Sequence, residues 1–246
     1  KISPNSVGDN GENVLHNLVR KPKQDDVIAY FLSKNVDVNQ QDKDGNSVLM
    51  NATRGTIDVV KSFIKKVKDV NARNNKGLSA LSFAVENGSS EMVEFLLANG
   101  AKVNTTDNNG NNLAYYWIQS YKPETGKKDA KDGFQQKFDL LQKAGLEFAA
   151  PQKNGNTLYH LAVAKNDLSL FTKLAPLGVN INATDQEGMT ALHKAALLAK
   201  DDLILKFLVA NGAKKDIHTE FHESAYDLAL ENESLKSNNV SLEFLK

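Results

Sequence analysis

The sequence contains no cysteine, although it is 246 residues long. This absence excludes disulfides, thiolate zinc sites and cysteine nucleophiles together. A chain without thiols suits an oxidising compartment, but many proteins of reducing compartments also lack cysteine. Together with abundant asparagine and lysine, the absence slightly favours an exported bacterial protein, and it leaves the compartment unknown.

An excess of either charge is also missing, because 30 Lys and Arg residues balance 30 Asp and Glu residues. Such a balance gives no global field that would attract nucleic acid or an anionic membrane. No apolar run approaches the roughly 20 residues that span a bilayer, and no signal-peptide pattern opens the sequence. With 41% hydrophobic and 24% charged residues, the composition predicts a soluble folded protein with no nucleic-acid partner and no membrane insertion.

What the sequence does contain is a short polar pattern that recurs at a nearly constant interval. It occurs as DKDGNS, NNKGLS, DNNGNN and DQEGMT, with weaker copies GDNGEN and QKNGNT. The glycines of these copies are Gly11, Gly45, Gly77, Gly110, Gly155 and Gly188. Successive glycines are 34, 32, 33, 45 and 33 residues apart. A period of about 33 residues predicts an array of small supersecondary units.

Each copy of the pattern is followed by two predicted helices. Two residues after each glycine lies a side chain that accepts hydrogen bonds from the free amides at a helix start. These N-cap candidates are Asn13, Ser47, Ser79, Asn112, Thr157 and Thr190. A second apolar stretch follows in every unit, and all but one of the first six end at a residue suited to the left-handed conformation that closes a helix. The closing residues are Asn35, Gly100, Gly145, Gly178 and Gly212, with Val67 as the exception.

The stretches LLANGAKVNTTDNNGN (96–111) and GVNINATDQEGMTALHKAA (178–196) resemble the ankyrin-repeat family. The resemblance covers nearly the whole chain and implies an all-α fold, a solenoid of stacked helix-turn-helix units with protruding hairpin loops. It predicts one ankyrin-repeat domain over 1–246. The predicted repeats are 8–39, 42–71, 74–104, 107–148, 152–182 and 185–216, followed by a degenerate capping repeat at 219–246.

Three segments depart from the regular unit. The 45-residue step places about 12 extra residues, at 122–133, between the helices of the fourth repeat. This insertion is either a tolerated surface loop or a finger that contacts a partner. In the last repeat His222 replaces the glycine, and we expect a first helix within 224–233 and a second within 238–246. Asn5 lies six residues before Gly11, as Asn39 does before Gly45, which predicts a chain cut from a longer array or a precursor.

The sequence offers no constellation for catalysis, for a cofactor or for a metal ion. Histidines at the starts of first helices are explained by hydrogen bonds to the backbone. His218 and His222 are four residues apart but lack the His-Glu-x-x-His order of a metalloprotease. An enzyme would need a deep pocket in the aromatic fourth repeat, at Tyr115, Tyr116 and Trp117. We therefore predict no catalytic residue, no cofactor and no metal.

The ankyrin resemblance implies that a partner protein is bound by the hairpin tips and by the concave face of the first helices. The tip candidates are Lys43, Asp44, Asn46, Asn75, Lys76, Leu78, Asn108, Asn109, Asn111, Lys153, Asn154, Asn156, Gln186, Glu187 and Met189. The first-helix candidates are Arg54, Glu86, Trp117, Gln119, Lys165 and Leu197. The polar tip residues are also good turn formers, whereas exposed apolar groups at Leu78, Met189 and Phe221 have no such explanation.

These observations predict a non-catalytic protein–protein interaction module, monomeric and with an unidentified protein partner. The alternative is a structural spacer or a regulatory segment of a larger protein whose activity lies outside this chain. Apolar tips favour the binding module, and uniformly polar tips that tolerate mutation would favour the spacer.

Overall fold

The computed structural model describes residues 3–123 and 133–246. These residues form two compact units: residues 3–120 with 133–146, and residues 121–123 with 147–246. Within the described ranges the regular structure is helical, and β-pairing is limited to isolated bridges such as Gln41 with Ser47. The predicted all-α fold is confirmed. Most of the predicted insertion at 122–133 lies outside the described residues.

The first unit is built from four pairs of helices in two layers. The first helices of the pairs are α1 (Val14–Leu18), α3 (Val48–Ala52), α5 (Ala80–Asn87) and α7 (Leu113–Gln119). The second helices are α2 (Asp25–Ser33), α4 (Ile57–Phe63), α6 (Ser90–Ala98) and α8 (Gly133–Lys143), and a 3-10 turn at Ile64–Lys66 follows α4. Each helix contacts its partner in the pair and the next helix of its own layer. This is a solenoid of stacked helix pairs.

The second unit contains three further pairs. Its first helices are α9 (Leu158–Val163), α11 (Ala191–Leu198) and α13 (Ala225–Glu231). Its second helices are α10 (Leu168–Leu174), α12 (Leu203–Ala210) and α14 (Glu233–Ser237), with 3-10 turns at Ala175–Leu177 and Glu243–Leu245. Helix α11 contacts both α9 and α13, and α10 contacts α12. Stacking is required because helices this short are marginal on their own.

The second helix of the last pair does not lie at 238–246, where the sequence predicted it. It is α14, and it begins earlier because Asn232 caps it: the Asn232 side-chain oxygen accepts hydrogen bonds from the amides of Ser234 (2.9 Å) and Leu235 (3.3 Å). The amide nitrogen of Asn232 donates to the carbonyl oxygens of Ala196 (2.9 Å) and Ala199 (3.0 Å). Contact with the preceding repeat thus decides where this helix starts.

The predicted helix starts and closures agree with the structure. All six predicted N-cap residues occupy extended backbone directly before a first helix. The predicted closing residues have positive φ, from 56° at Asn35 to 94° at Gly212. Val67, the exception, has φ −74° because a 3-10 turn ends that helix instead. The hairpin glycines also have positive φ, and a Cβ on Gly45 would lie only 2.8 Å from the Asn75 backbone nitrogen.

Asparagine side chains between the second helix and the hairpin join successive repeats. Asn39 donates to the Lys66 carbonyl oxygen (3.0 Å) and accepts from the Lys68 amide (2.8 Å). Asn71 and Asn182 make the same pair of bonds with the repeats that follow them, at 2.8–3.0 Å. Asn5 does so with the Asn35 carbonyl (3.4 Å) and the Asp37 amide (3.1 Å). The segment around Asn5 therefore acts as the end of a repeat.

Candidate functional site

Four of the hairpins that precede first helices share one turn design. In the hairpin of Gly45, one carboxylate oxygen of Asp42 accepts hydrogen bonds from the backbone amides of Asp44 (3.0 Å) and Asn46 (2.8 Å). Asn74, Asp107 and Asp185 accept the corresponding two bonds in their hairpins, at 2.8–3.0 Å. Asx turns of this kind fix the backbone locally. The local pattern Asp/Asn-x-x-Gly is thus explained by backbone chemistry.

Neighbouring hairpins are also joined to each other within each unit. In the first unit the Asn75 amide donates to the Asp44 carbonyl oxygen (2.9 Å) and the Asn108 amide to the Lys76 carbonyl oxygen (3.0 Å). In the second unit the Gln186 amide donates to the Asn154 carbonyl oxygen at 3.1 Å. These bonds hold the hairpins of one unit in a row, so that their tips form a surface with a fixed backbone.

Several predicted tip residues use their side chains to hold this row together. The side-chain amides of Asn75 and Asn108 donate to the carbonyl oxygens of Lys43 (2.8 Å) and Asn75 (2.7 Å). Asn46 and Asn111 donate to the carboxylates of their own turns, at 3.1 and 2.9 Å. The Asn156 side-chain oxygen accepts from Lys194 at 2.7 Å. These five asparagines have a structural role, as the turn-former explanation requires.

Other predicted tip residues are exposed, and their side chains have no hydrogen bond or ion pair within the described part of the chain. They are Lys43, Asp44, Lys76, Asn109, Lys153, Gln186 and Glu187. Asn154 is also exposed, and its side-chain oxygen accepts the Asn156 amide at 3.1 Å. The fixed backbone beneath these side chains would require little ordering when a partner binds.

The expectation of exposed apolar groups at Leu78 and Met189 is wrong, because both residues are half-buried. Each occupies the last position of its hairpin, and its amide bonds back to the turn, to Asn74 at 2.9 Å and to Asp185 at 3.0 Å. Phe221, in contrast, is 78% exposed at the tip of the last hairpin. It is the apolar tip residue that the fold leaves in solvent.

The predicted first-helix residues divide into exposed and half-buried positions. Arg54 is exposed and has no side-chain partner among the described residues, and Leu197 is 38% exposed. Glu86, Gln119 and Lys165 are half-buried. Arg54 and Leu197 are therefore the members of this set that are accessible to a partner.

Trp117 cannot contact a partner, and its assignment to the binding surface is corrected. It is 2% exposed, its ring stacks on Phe134 of α8 with centroids 4.1 Å apart, and its indole nitrogen donates to the Phe134 carbonyl oxygen at 2.9 Å. The corresponding position is a small alanine in four other repeats, at Ala52, Ala84, Ala162 and Ala195, and Leu18 in the first repeat. In the fourth repeat the indole fills the space between the two helices instead of lining a pocket.

Tyr116, the neighbour of Trp117 in the sequence, is also tied to the turn. The Tyr116 hydroxyl donates to the Asp107 carboxylate at 2.5 Å. Burial and this carboxylate raise the pKa of Tyr116 far above its usual range. Partial burial alone would raise the pKa of Asp107, but hydrogen bonds from Tyr116 and Asn111 outweigh it and lower that pKa. A phenol held protonated in this way serves the fold and is unsuited to act as a base.

Three buried histidines form hydrogen bonds with the backbone, as the sequence predicted, and each links its own first helix to the repeat that follows. The N-cap amides of Thr157 and Thr190 donate to the Nδ1 atoms of His160 and His193, both at 3.1 Å. Because carbonyl oxygens only accept, the opposite Nε2 atoms donate to Met189 (2.9 Å) and Ile217 (3.0 Å). His16 has the same arrangement. Burial lowers the pKa of all three imidazoles.

Sequence reasoning missed three exposed leucines of the second unit. Leu198 is 59% exposed, Leu203 52% and Leu230 46%. Leu198 and Leu203 flank the turn from α11 to α12, and Leu230 lies in α13. The signal was available in the sequence, since LLAKDDL (197–203) places apolar residues directly beside a polar turn.

The described residues contain no group of three or more His, Cys, Asp or Glu side chains arranged to hold a metal ion. A cavity of about 100 Å³ in the first unit is lined by residues such as Val38, Leu49 and Val67 and by Lys68 and Asp69. No helix within residues 3–123 and 133–246 has the length and apolar character to cross a membrane.

Comparison with known proteins identifies ankyrin-repeat proteins by sequence. The family model for ankyrin repeats in three copies matches residues 5–107 and 130–240. An ankyrin repeat protein of Acanthamoeba polyphaga mimivirus is 25% identical over 221 residues, which is 83% of this chain and 26% of that protein. The chicken (Gallus gallus) nuclear factor NF-kappa-B p105 subunit is 34% identical over 119 residues, 47% of this chain and 11% of that protein.

One further sequence relative and one solved structure are also similar to this chain. Mouse (Mus musculus) Rabankyrin-5 is 24% identical over 187 residues, 74% of this chain and 16% of that protein. The crystal structure of the ankyrin repeat domain of Bcl-3, a member of the IkappaB protein family, superimposes with a TM-score of 0.66 at 21% identity. That match covers 90% of this chain and 95% of the Bcl-3 chain. This chain thus spans about a quarter or less of the curated relatives that it matches.

Proposed function

Because this chain belongs to the ankyrin-repeat family, whose members are protein-interaction modules without catalytic activity, we propose that it binds a partner protein through its hairpin tips and through the concave face of its first helices. The partner is unidentified, no cofactor is involved, and the chain acts as a monomer. A bacterial source and export stay predictions from composition.

One observation carries this proposal: the hairpin tips combine a fixed backbone with free side chains. Hydrogen bonds between neighbouring hairpins fix the backbone, while exposed side chains such as Lys43, Lys76 and Glu187 have no partner in the described part of the chain. A surface of this kind loses little conformational entropy on binding, which is the main cost that flexible loops must overcome.

The proposal is tested by charge reversal at two tips of the first unit. Affinity capture from the source cell would compare the native chain with Lys43→Glu/Lys76→Glu. The matched control is Lys65→Glu/Lys68→Glu, which makes the same change of charge at exposed lysines in and after the 3-10 turn that follows α4. All three proteins are first shown by circular dichroism to be folded.

We expect the native chain and the control to capture the same protein, and the tip variant to lose it. Equal capture by all three would remove the tips of the first unit from the binding surface. Capture of no protein by the native chain would instead favour the alternative, a structural spacer or regulatory segment. The relatives are compatible with that alternative, since the matched segment is at most 26% of their length and most of each protein lies outside it.

A further inference from the structure

The last hairpin of the second unit differs from its neighbours at two adjacent residues. Phe221 is 78% exposed, at the position that Glu187 occupies in the preceding hairpin, two residues after the start of the turn. His222 follows in the left-handed conformation, with φ 63°, where the six other hairpins have glycine. Neither feature stabilises the fold, since an exposed aromatic ring gains little burial energy and a Cβ in the left-handed region is strained.

Neither residue compensates for this through contacts in the fold. Within the described residues, Phe221 has no ring contact and the side chain of His222 has no hydrogen bond, and His222 is exposed as well. Turn chemistry also gives no reason for phenylalanine, because the tip positions of the other hairpins carry polar turn formers. An exposed aromatic side chain at the end of a fixed hairpin is typical of a binding contact.

The surroundings of Phe221 are acidic. The Glu220 amide donates to the Glu187 carbonyl oxygen at 3.3 Å, so the two tips are neighbours and bring their glutamates to the same edge. Both side chains are exposed and have no ion pair among the described residues. The nearby cation Lys194 is already paired with Asp185 at 2.7 Å. An exposed aromatic ring on the same pair of hairpin tips as two unpaired carboxylates is complementary to a cationic group beside an apolar one.

We propose that Phe221, Glu187 and Glu220 form a docking site for a basic protein segment that presents an arginine or lysine next to an aliphatic or aromatic side chain. The apolar side chain packs on the exposed ring, and the cation lies over the ring face and pairs with the carboxylates. This proposal rests on the proposed function and names the chemistry of one partner contact. The acidic edge repels nucleic acid and anionic membranes, which leaves a basic protein segment as the occupant.

The test uses random 12-residue peptides displayed on phage and selected against the intact chain at low salt. Each enriched peptide is synthesised, and its dissociation constant is measured by fluorescence anisotropy. We expect enriched sequences that combine Arg or Lys with an aliphatic or aromatic residue. Phe221→Ser should weaken their binding at least 10-fold, and Glu187→Gln/Glu220→Gln should weaken it at least 3-fold and reduce its dependence on salt.

Lys65→Ala is the matched control, because it removes an exposed side chain without a described partner from the 3-10 turn that follows α4, outside the hairpin tips. It should leave the dissociation constant unchanged. Enriched peptides that are acidic or uncharged, equal binding by Phe221→Ser and the native chain, or no enrichment at all would each overturn the docking site. A third outcome separates the two proposals: peptides that bind Phe221→Ser as tightly as the native chain but do not bind Lys43→Glu/Lys76→Glu. It would exclude the docking site at Phe221 and still support binding through the hairpin tips.

Discussion

The hairpins around Gly188 and His222 are neighbours in the second unit. They form the same turn, but different side chains accept the hydrogen bonds of the turn amides. In the first, the Asp185 carboxylate accepts the amides of Glu187 and Met189, both at 3.0 Å, and pairs with Lys194. In the second, the neutral Thr219 hydroxyl accepts two amides at 3.3 Å. The backbone bonds across both turns are nevertheless alike, at 2.9–3.1 Å. Stacking can therefore impose a turn that local chemistry supports only weakly.

The largest expected difference between the two hairpins comes from removing their turn acceptors. Asp185→Ala should lower the free energy of unfolding by about 2–3 kcal/mol, because two amides lose a charged acceptor and Lys194 loses its ion pair. Thr219→Ala should cost only about 1 kcal/mol, since its bonds are neutral and long. Urea unfolding at pH 7 measures both values. Equal losses would show that the charge of Asp185 adds nothing to the turn.

Substitution of the regular glycine tests the backbone difference. Gly188 has φ 71°, and a Cβ there would lie 3.0 Å from the Glu220 backbone nitrogen. Gly188→Ala should therefore cost about 2 kcal/mol of unfolding free energy. Gly212→Ala is the control, because Gly212 has φ 94° but no atom within 4 Å of an added Cβ. If both variants lose the same free energy, strain alone explains the effect and the close approach of the hairpins contributes nothing.

The reverse substitution in the last hairpin should stabilise the chain. His222→Gly removes a side chain from the left-handed region, and the greater freedom of glycine in the unfolded state offsets part of the gain. We expect an increase of about 0.5–1 kcal/mol in the free energy of unfolding. Thermal unfolding measures it as a higher Tm. A lower Tm would mean that the His222 side chain stabilises the native turn.

The helix caps behind the two hairpins should respond to different pH ranges, with the smallest effect of the four. Burial lowers the pKa of His193 below its ordinary 6.5, so protons bind the unfolded state first and stability falls as the pH drops through 6.5. Hydrogen bonds from Ser224 lower the pKa of Asp227 below 3.8, so that cap weakens only below this value. Hydrogen exchange at pH 7.5 and 5.5, corrected for intrinsic rates, should show lost protection at the start of α11 and unchanged protection at the start of α13.

His193→Gln serves as the control for this last comparison. It should remove the change in protection of α11 between the two pH values, because no imidazole remains to be protonated. A native α11 whose protection is the same at both values would contradict the lowered pKa of His193.

Features determined within a few residues could be predicted from the sequence. Ser47 caps α3, and Gly45 has positive φ, because both depend on backbone groups close by in the chain. The bonds between the buried histidines and their N-cap residues are equally local, whereas the bonds from Nε2 reach carbonyl oxygens 24–30 residues away. The 33-residue period also predicts that the units stack, since each unit must bury its apolar face on the next. The sequence thus determined the fold class, the repeat and the turns.

The tertiary structure decided which candidate side chains are available to a partner. Trp117 is an aromatic residue of the type found in binding surfaces, but α8 covers its side chain. Asn75 and Asn108 hold neighbouring hairpins together, whereas Lys76 beside them stays free. The last α-helix lies at Glu233–Ser237 and not at the predicted 238–246, because Asn232, which caps it, bonds to Ala196 and Ala199. Exposure and pairing depend on residues about 30 positions away, and a local pattern cannot specify which of its members those distant residues will cover.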